Sequence, residues 1–161
     1  MRCPARLLAV YALFCVAVAG GAEPSKVDIA RPDAETAEGA RTRFEGTWHL
    51  TSLMKDGKER AKADLEGYTL IFSGDRYTYK GKGGERDEGT FAIDTSKEPA
   101  VMRTTKAGGP DRGTTMLRIY TWVDDDTVKF CSPAAGEERP TKFDASQGSG
   151  RELSIWTREK D

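Results

Sequence analysis

The chain has 161 residues, 25 basic and 26 acidic side chains, and a formal charge of −1. That length suits one small domain. The balance is no footprint for nucleic acid and offers no polybasic patch for a membrane surface.

Residues 1–22 read as a signal peptide. Arg2 and Arg6 form a positive start, an uncharged apolar run follows over 7–18, and Ala19, Gly20, Gly21 and Ala22 offer cleavage after Ala19 or Ala22. The run falls short of the roughly 20 apolar residues of a membrane span, so an uncleaved anchor is the weaker reading. Lipid attachment at Cys15 is weaker still, because the bulky Phe14 precedes it. The expected protein is exported, periplasmic or extracellular, with no transmembrane segment after cleavage. The 25 basic residues less Arg2 and Arg6, against 26 acidic ones, leave a charge of about −3. Cys3 and Cys15 leave with the signal, so the exported domain keeps only Cys131, has no intramolecular disulfide and must rely on its core. That thiol is either buried and inert or an exposed pairing site.

Residues 23–43 carry Val27 and Ile29 as their only apolar side chains larger than alanine, among charges of both signs and two prolines. Such a segment buries too little to offset its ordering entropy and reads as a flexible tether, with a helical turn or two at most over 33–41. From Phe44 onward, over 44–161, short β-branched and aromatic runs alternate with Gly, Asp and Pro punctuation, the pattern of an all-β sandwich or barrel. The expected strands cover 44–54, 68–73, 76–80, 89–94, 99–104, 116–123, 127–131, 140–143 and 152–158. Gly74-Asp75 makes a tight hairpin turn between the second and third, and Asp124-Asp125-Asp126 turns the chain between the sixth and seventh.

Several of these runs alternate with a period of two, which places one apolar face inward. Tyr68, Leu70 and Phe72 share a face, Tyr77 and Tyr79 share another, and Phe91 falls in phase with Ile93. Val128 with Phe130, and Leu153 with Ile155, complete the expected inward set. Over 116–123 both faces are apolar, so the inward side stays open. Short strands and short loops favour a single antiparallel up-and-down barrel of eight or nine strands.

Gly46-Thr47-Trp48 on the first strand, with Arg158 at the end of the last, resembles the lipocalin and calycin pattern. The resemblance implies a barrel floor made of Gly46, Trp48 and Arg158, the guanidinium packed across the indole. A wider set of stretches is similar to a lipocalin-like exported domain family of unknown function, abundant in planctomycete bacteria: Asp56-Gly57-Lys58, Tyr68-Thr69-Leu70-Ile71-Phe72, Gly89-Thr90-Phe91-Ala92-Ile93-Asp94, Asp126-Thr127-Val128-Lys129-Phe130-Cys131 and Arg139-Pro140-Thr141-Lys142-Phe143. Val101-Met102-Arg103-Thr104 departs from the family pattern. That family implies fold and compartment but no activity.

Catalytic machinery is not expected. His49 is the only histidine and points away from the face of Trp48, so neither a metal site nor a Ser-His-Asp triad has its parts. The three aspartates at 124–126 lack the spacing and closing Glu of a calcium loop. The Gly-rich 106–114 lacks the ending of a phosphate loop. No cofactor or metal is expected. Two roles remain. In one, a monomeric barrel holds a small apolar or amphipathic ligand between Tyr68, Leu70, Phe72, Tyr77, Tyr79 and the other inward residues. In the other, the barrel is filled and its surface meets another exported or envelope protein.

Overall fold

The computed structural model describes residues 36–160; the expected signal peptide and the first part of the expected tether lie outside them. Thr36 caps a short helix, α1 (Ala37–Phe44), its hydroxyl accepting from the Gly39 N–H at 3.0 Å, with Glu38 in the first turn and Arg41 and Arg43 in the last. Eight residues do not hold a helix by themselves in water; burial supplies the rest. Ala40 and Phe44, one helical turn apart and so on one face, are both wholly buried. The stretch from Ala37 onward is therefore part of the folded domain rather than tether, and Phe44 ends a helix instead of starting a strand. An alanine and a phenylalanine on one face become a burying surface only when a barrel end is there to receive them.

Nine strands follow: β1 (Gly46–Lys55), β2 (Lys58–Glu59), β3 (Thr69–Ser73), β4 (Arg76–Lys80), β5 (Arg86–Asp94), β6 (Val101–Lys106), β7 (Thr115–Asp124), β8 (Thr127–Ser132) and β9 (Glu152–Arg158). From β3 to β9 each strand pairs antiparallel with the next. β1 pairs with β3 over 46–49 and with β9 over 48–55, which closes an eight-stranded up-and-down barrel, and the two-residue β2 hangs on β1. The expectation of a single all-β barrel holds. Closure also leaves the barrel strands without a free edge. In β1 the buried residues are Trp48, Leu50 and Leu53. The step of three falls where the register against β9 shifts between Leu50 and Ser52, a bulge that re-phases the strand so that both halves keep an apolar side inward.

The expected strand over 140–143 does not form. Pro140, which has no N–H to give a ladder, is instead fully buried. The segment between β8 and β9 lies over the outside of the barrel. There Val101, Ile119 and Cys131 make a second buried cluster with Leu153 and Phe143. The segment is tied down by Gly57 N–H to Ala145 O at 2.6 Å, Gly150 N–H to Asp56 Oδ1 at 2.9 Å and the Cys131 thiol to Asp144 O at 3.6 Å. Cys131 is the buried, inert thiol of the two readings, with burial raising its pKa above the ordinary value.

Gly89 shows how closely β5 and β6 approach. A Cβ there would fall inside the van der Waals envelope of the Thr105 carbonyl oxygen and press on the Tyr77 ring. The first of these is backbone and cannot step aside. Gly89→Ala is expected to destabilise the protein by about 3 kcal/mol or more, read as a lowered denaturant midpoint.

Candidate functional site

One end of the barrel is packed solid and the other is hollow. At the packed end the Phe44 ring enters the lumen and meets Phe72, Tyr120, Trp122 and Phe130 at centroid distances of 5.2, 5.1, 4.6 and 5.9 Å. Trp48, wholly buried, donates its indole N–H to Phe44 O at 2.8 Å. Arg158 lies over the Trp48 ring at 4.4 Å from its centroid and donates to Arg43 O at 2.6 Å and to Glu45 O. Gly46, at φ +112°, turns the chain from helix to strand between them, and a Cβ there would sit 3.6 Å from the Arg158 guanidinium. Gly46, Trp48 and Arg158 thus meet at this end, and they grip a helix as well as one another.

At the other end the strands enclose a hollow of about 350 Å³. Leu70, Phe72, Met102 and Trp156 form its apolar depth. Tyr77, Tyr79, Thr104, Ser154 and Ser132 add hydroxyls, and Lys55, Asp87, Glu152 and Arg118 carry its charges. Phe72 is shared between the two halves, touching Phe44 on one side and the hollow on the other. Burial pushes the Tyr77 and Tyr79 hydroxyls up to about 12, the Asp87 carboxylate adding to the effect on Tyr77 and the Tyr68 phenol oxygen to that on Tyr79. Both are neutral phenols at any physiological pH. Tyr77 donates to Asp87 Oδ2 at 3.4 Å, and Lys106 stands 3.7 Å from the same oxygen.

Arg118 is the one cationic side chain set among the inward aromatics of its strand. Its Nε is sequestered without a hydrogen-bond partner. Nη2 makes a long contact to Thr104 Oγ1 at 3.5 Å and a weak one to the Met116 thioether Sδ at 3.4 Å. The Phe130 ring lies 5.8 Å away. Desolvation lowers its pKa from the ordinary value and the Glu152 carboxylate partly offsets this; a guanidinium nonetheless stays charged.

Of the expected lining, Leu70, Phe72, Tyr77 and Tyr79 border the hollow. Phe91, Val128 and Phe130 are buried in the inner core, and Ile93 packs against it. Tyr68 stands at the barrel's edge, its hydroxyl accepting from Arg60 at 3.0 Å and its ring 6.2 Å from that of Tyr79. Leu153 is a correction: it belongs to the outer cluster. Ile155, in phase with it, does not border the hollow either, while Ser154 and Trp156 are the buried side chains of β9. The period of two already contained this answer, because placing Arg158 in the floor puts Trp156, Ser154 and Glu152 inward with it. The open choice over 116–123 is settled the same way. Tyr120 and Trp122 pack inside the barrel and Ile119 outside, which carries Arg118 and Met116 inward.

His49 is half-exposed, with Nε2 3.6 Å from Glu159 Oε2. Among the described residues no three His, Cys, Asp or Glu side chains gather as a metal-holding group, and no helix is long and apolar enough to cross a membrane. No family model matches the chain, and neither does any curated protein or solved structure.

Proposed function

We propose that this is an exported, monomeric, non-enzymatic binding domain whose barrel holds one small amphipathic molecule. The observation that carries the reading is the hollow of about 350 Å³ at the end of the barrel away from the helix, lined by the buried apolar side chains Leu70, Phe72, Met102 and Trp156 together with hydroxyls and a few charges. Small-molecule sites of this kind are concave, mostly apolar, and given orientation by a few placed polar groups. A wholly filled barrel, the basis of the interaction reading, describes only the half that Phe44 plugs. The lipocalin-like comparison draws support from the closed barrel and from Arg158 lying across Trp48. Export rests on the pattern of residues 1–22.

Octanol is a suitable neutral probe, with calorimetry as the readout. Saturable binding is expected. Leu70→Phe should abolish it while leaving the melting temperature unchanged or higher, because the added ring fills space that is already empty. Undiminished binding by that variant would place the probe elsewhere and end the reading.

A further inference from the structure

We propose that the hollow takes a molecule with one carboxylate head and an apolar tail, the head held by the Arg118 guanidinium and the tail lying against Leu70, Phe72, Met102 and Trp156. The inference deepens the binding reading above and rests on it.

Arg118 is half-buried with its Nε shut away from water, and the part of a guanidinium taken out of water must recover what it loses through pairing and hydrogen bonds, or the burial is costly. Arg118 recovers little from the protein. Its Nε has no partner, and Nη2 reaches only a hydroxyl at long distance and a thioether, which is a weak acceptor. Among the described residues no acceptor engages Nη1 and no carboxylate comes within ion-pair distance. Two carboxylates border the same hollow without closing on it. Asp87 is already engaged by Tyr77 and Lys106. Glu152 stands at the rim, opposite Lys55 in the β1–β9 ladder. The fork of Nη1 and Nη2 is therefore open to an acceptor from outside, and a planar two-oxygen anion matches it.

Charge selects the head more narrowly. Arg118, Lys55 and the Lys106 that holds Asp87 stand against Asp87 and Glu152 at the hollow, a surplus of one positive charge, so a divalent phosphate would bring one charge more than the site offsets. A monovalent carboxylate adds one charge where one cation lacks a close partner. The lining fits the other part of the molecule. Leu70, Phe72, Met102 and Trp156 offer an apolar depth, and Phe72 stops the tail against the Phe44 plug.

The test is calorimetric titration of the intact protein with octanoate, octanol and octylamine, which share a tail and differ in charge. Octanoate is expected to bind at least about tenfold more tightly than octanol, the lower end for a charge-assisted hydrogen bond. Octylamine should bind no more tightly than octanol. In Arg118→Gln and Arg118→Met the octanoate affinity should fall to that of octanol, with octanol itself unaffected. Equal binding of octanoate and octanol by the wild-type protein, a preference for octylamine, or variants that keep the octanoate preference would overturn the carboxylate assignment. Octanol binding that Leu70→Phe blocks would still leave the hollow as a ligand site. Should none of the three bind, both readings fall together. If either Arg118 variant fails to fold, the wild-type octanoate-to-octanol ratio decides alone.

Discussion

Phe44→Ala is expected to cost about 3–5 kcal/mol of stability, the range for truncating a fully buried aromatic. The Phe44 ring is wholly buried and is the hub of the packed half of the lumen, lying 4.6 Å from the Trp122 centroid and 5.1 Å from that of Tyr120. Losing it takes away the ring contacts and leaves a void between strands that a closed hydrogen-bonded barrel cannot collapse to fill. The effect should include α1, since that helix is too short to persist without its burial. Equilibrium denaturation gives the cost, and far-ultraviolet dichroism reports the helix. A midpoint equal to that of the wild-type protein would mean that the helix does not plug the barrel in solution.

Trp48→Ala is expected to be of the same size, about 3–5 kcal/mol, for a related reason. Trp48 is fully buried, its indole N–H holds Phe44 O at 2.8 Å, and its face carries the Arg158 guanidinium. Arg158→Ala should be milder, about 1–3 kcal/mol, because it removes a cation–π contact and the hydrogen bonds to the Arg43 and Glu45 carbonyls from a side chain that keeps 23 % of its surface exposed. The two should not add. Once Trp48 is gone the guanidinium has no ring to cover, so the double variant is expected to cost less than the separate sum. Strict additivity, or an unchanged midpoint in Trp48→Ala, would remove the floor as a structural unit.

These two effects concern the junction where the sequence reading and the structure part company. Strand positions were legible because a period of two, interrupted by Gly-Asp and Asp-Asp turns, is a local signal. The floor was legible through a resemblance in Gly46, Thr47, Trp48 and Arg158. The helix was not. Over Ala37–Phe44 the only apolar side chains are Ala37, Ala40 and Phe44, too few for a periodic signal, and the packing that orders them comes from strands far along the chain. The misplacement of Leu153 and Ile155 has a different origin. Choosing the more apolar face assumes that the inside of a barrel is uniformly oily. Here β9 turns Glu152, Ser154 and Trp156 toward a partly polar hollow, while Leu153 packs beneath the segment between β8 and β9. Outside 116–123, where both faces are apolar, an apolar outer face was not expected on any strand, because nothing local announces that a coil without regular structure will cover it.

Arg118 shows the same division. It alternates in phase with Tyr120 and Trp122, so choosing that face of β7 would have placed it inside the barrel. With Leu117 and Ile119 on the opposite face the local pattern is balanced. The tie is broken by the β6–β7–β8 ladder, which sets Tyr120 against Phe130 and Ile119 against Cys131.

What the sequence determined by itself was the class of fold, through alternating β-branched and aromatic runs with turn residues between them. Those features depend on neighbours a few positions apart. What only the tertiary structure decided was which end of the barrel is plugged, which face of β7 looks inward, and that a half-buried guanidinium with an unpartnered Nε borders a partly polar hollow. Each of these is set by contacts between residues tens of positions apart, where burial outweighs local preference, and no local pattern encodes that outcome.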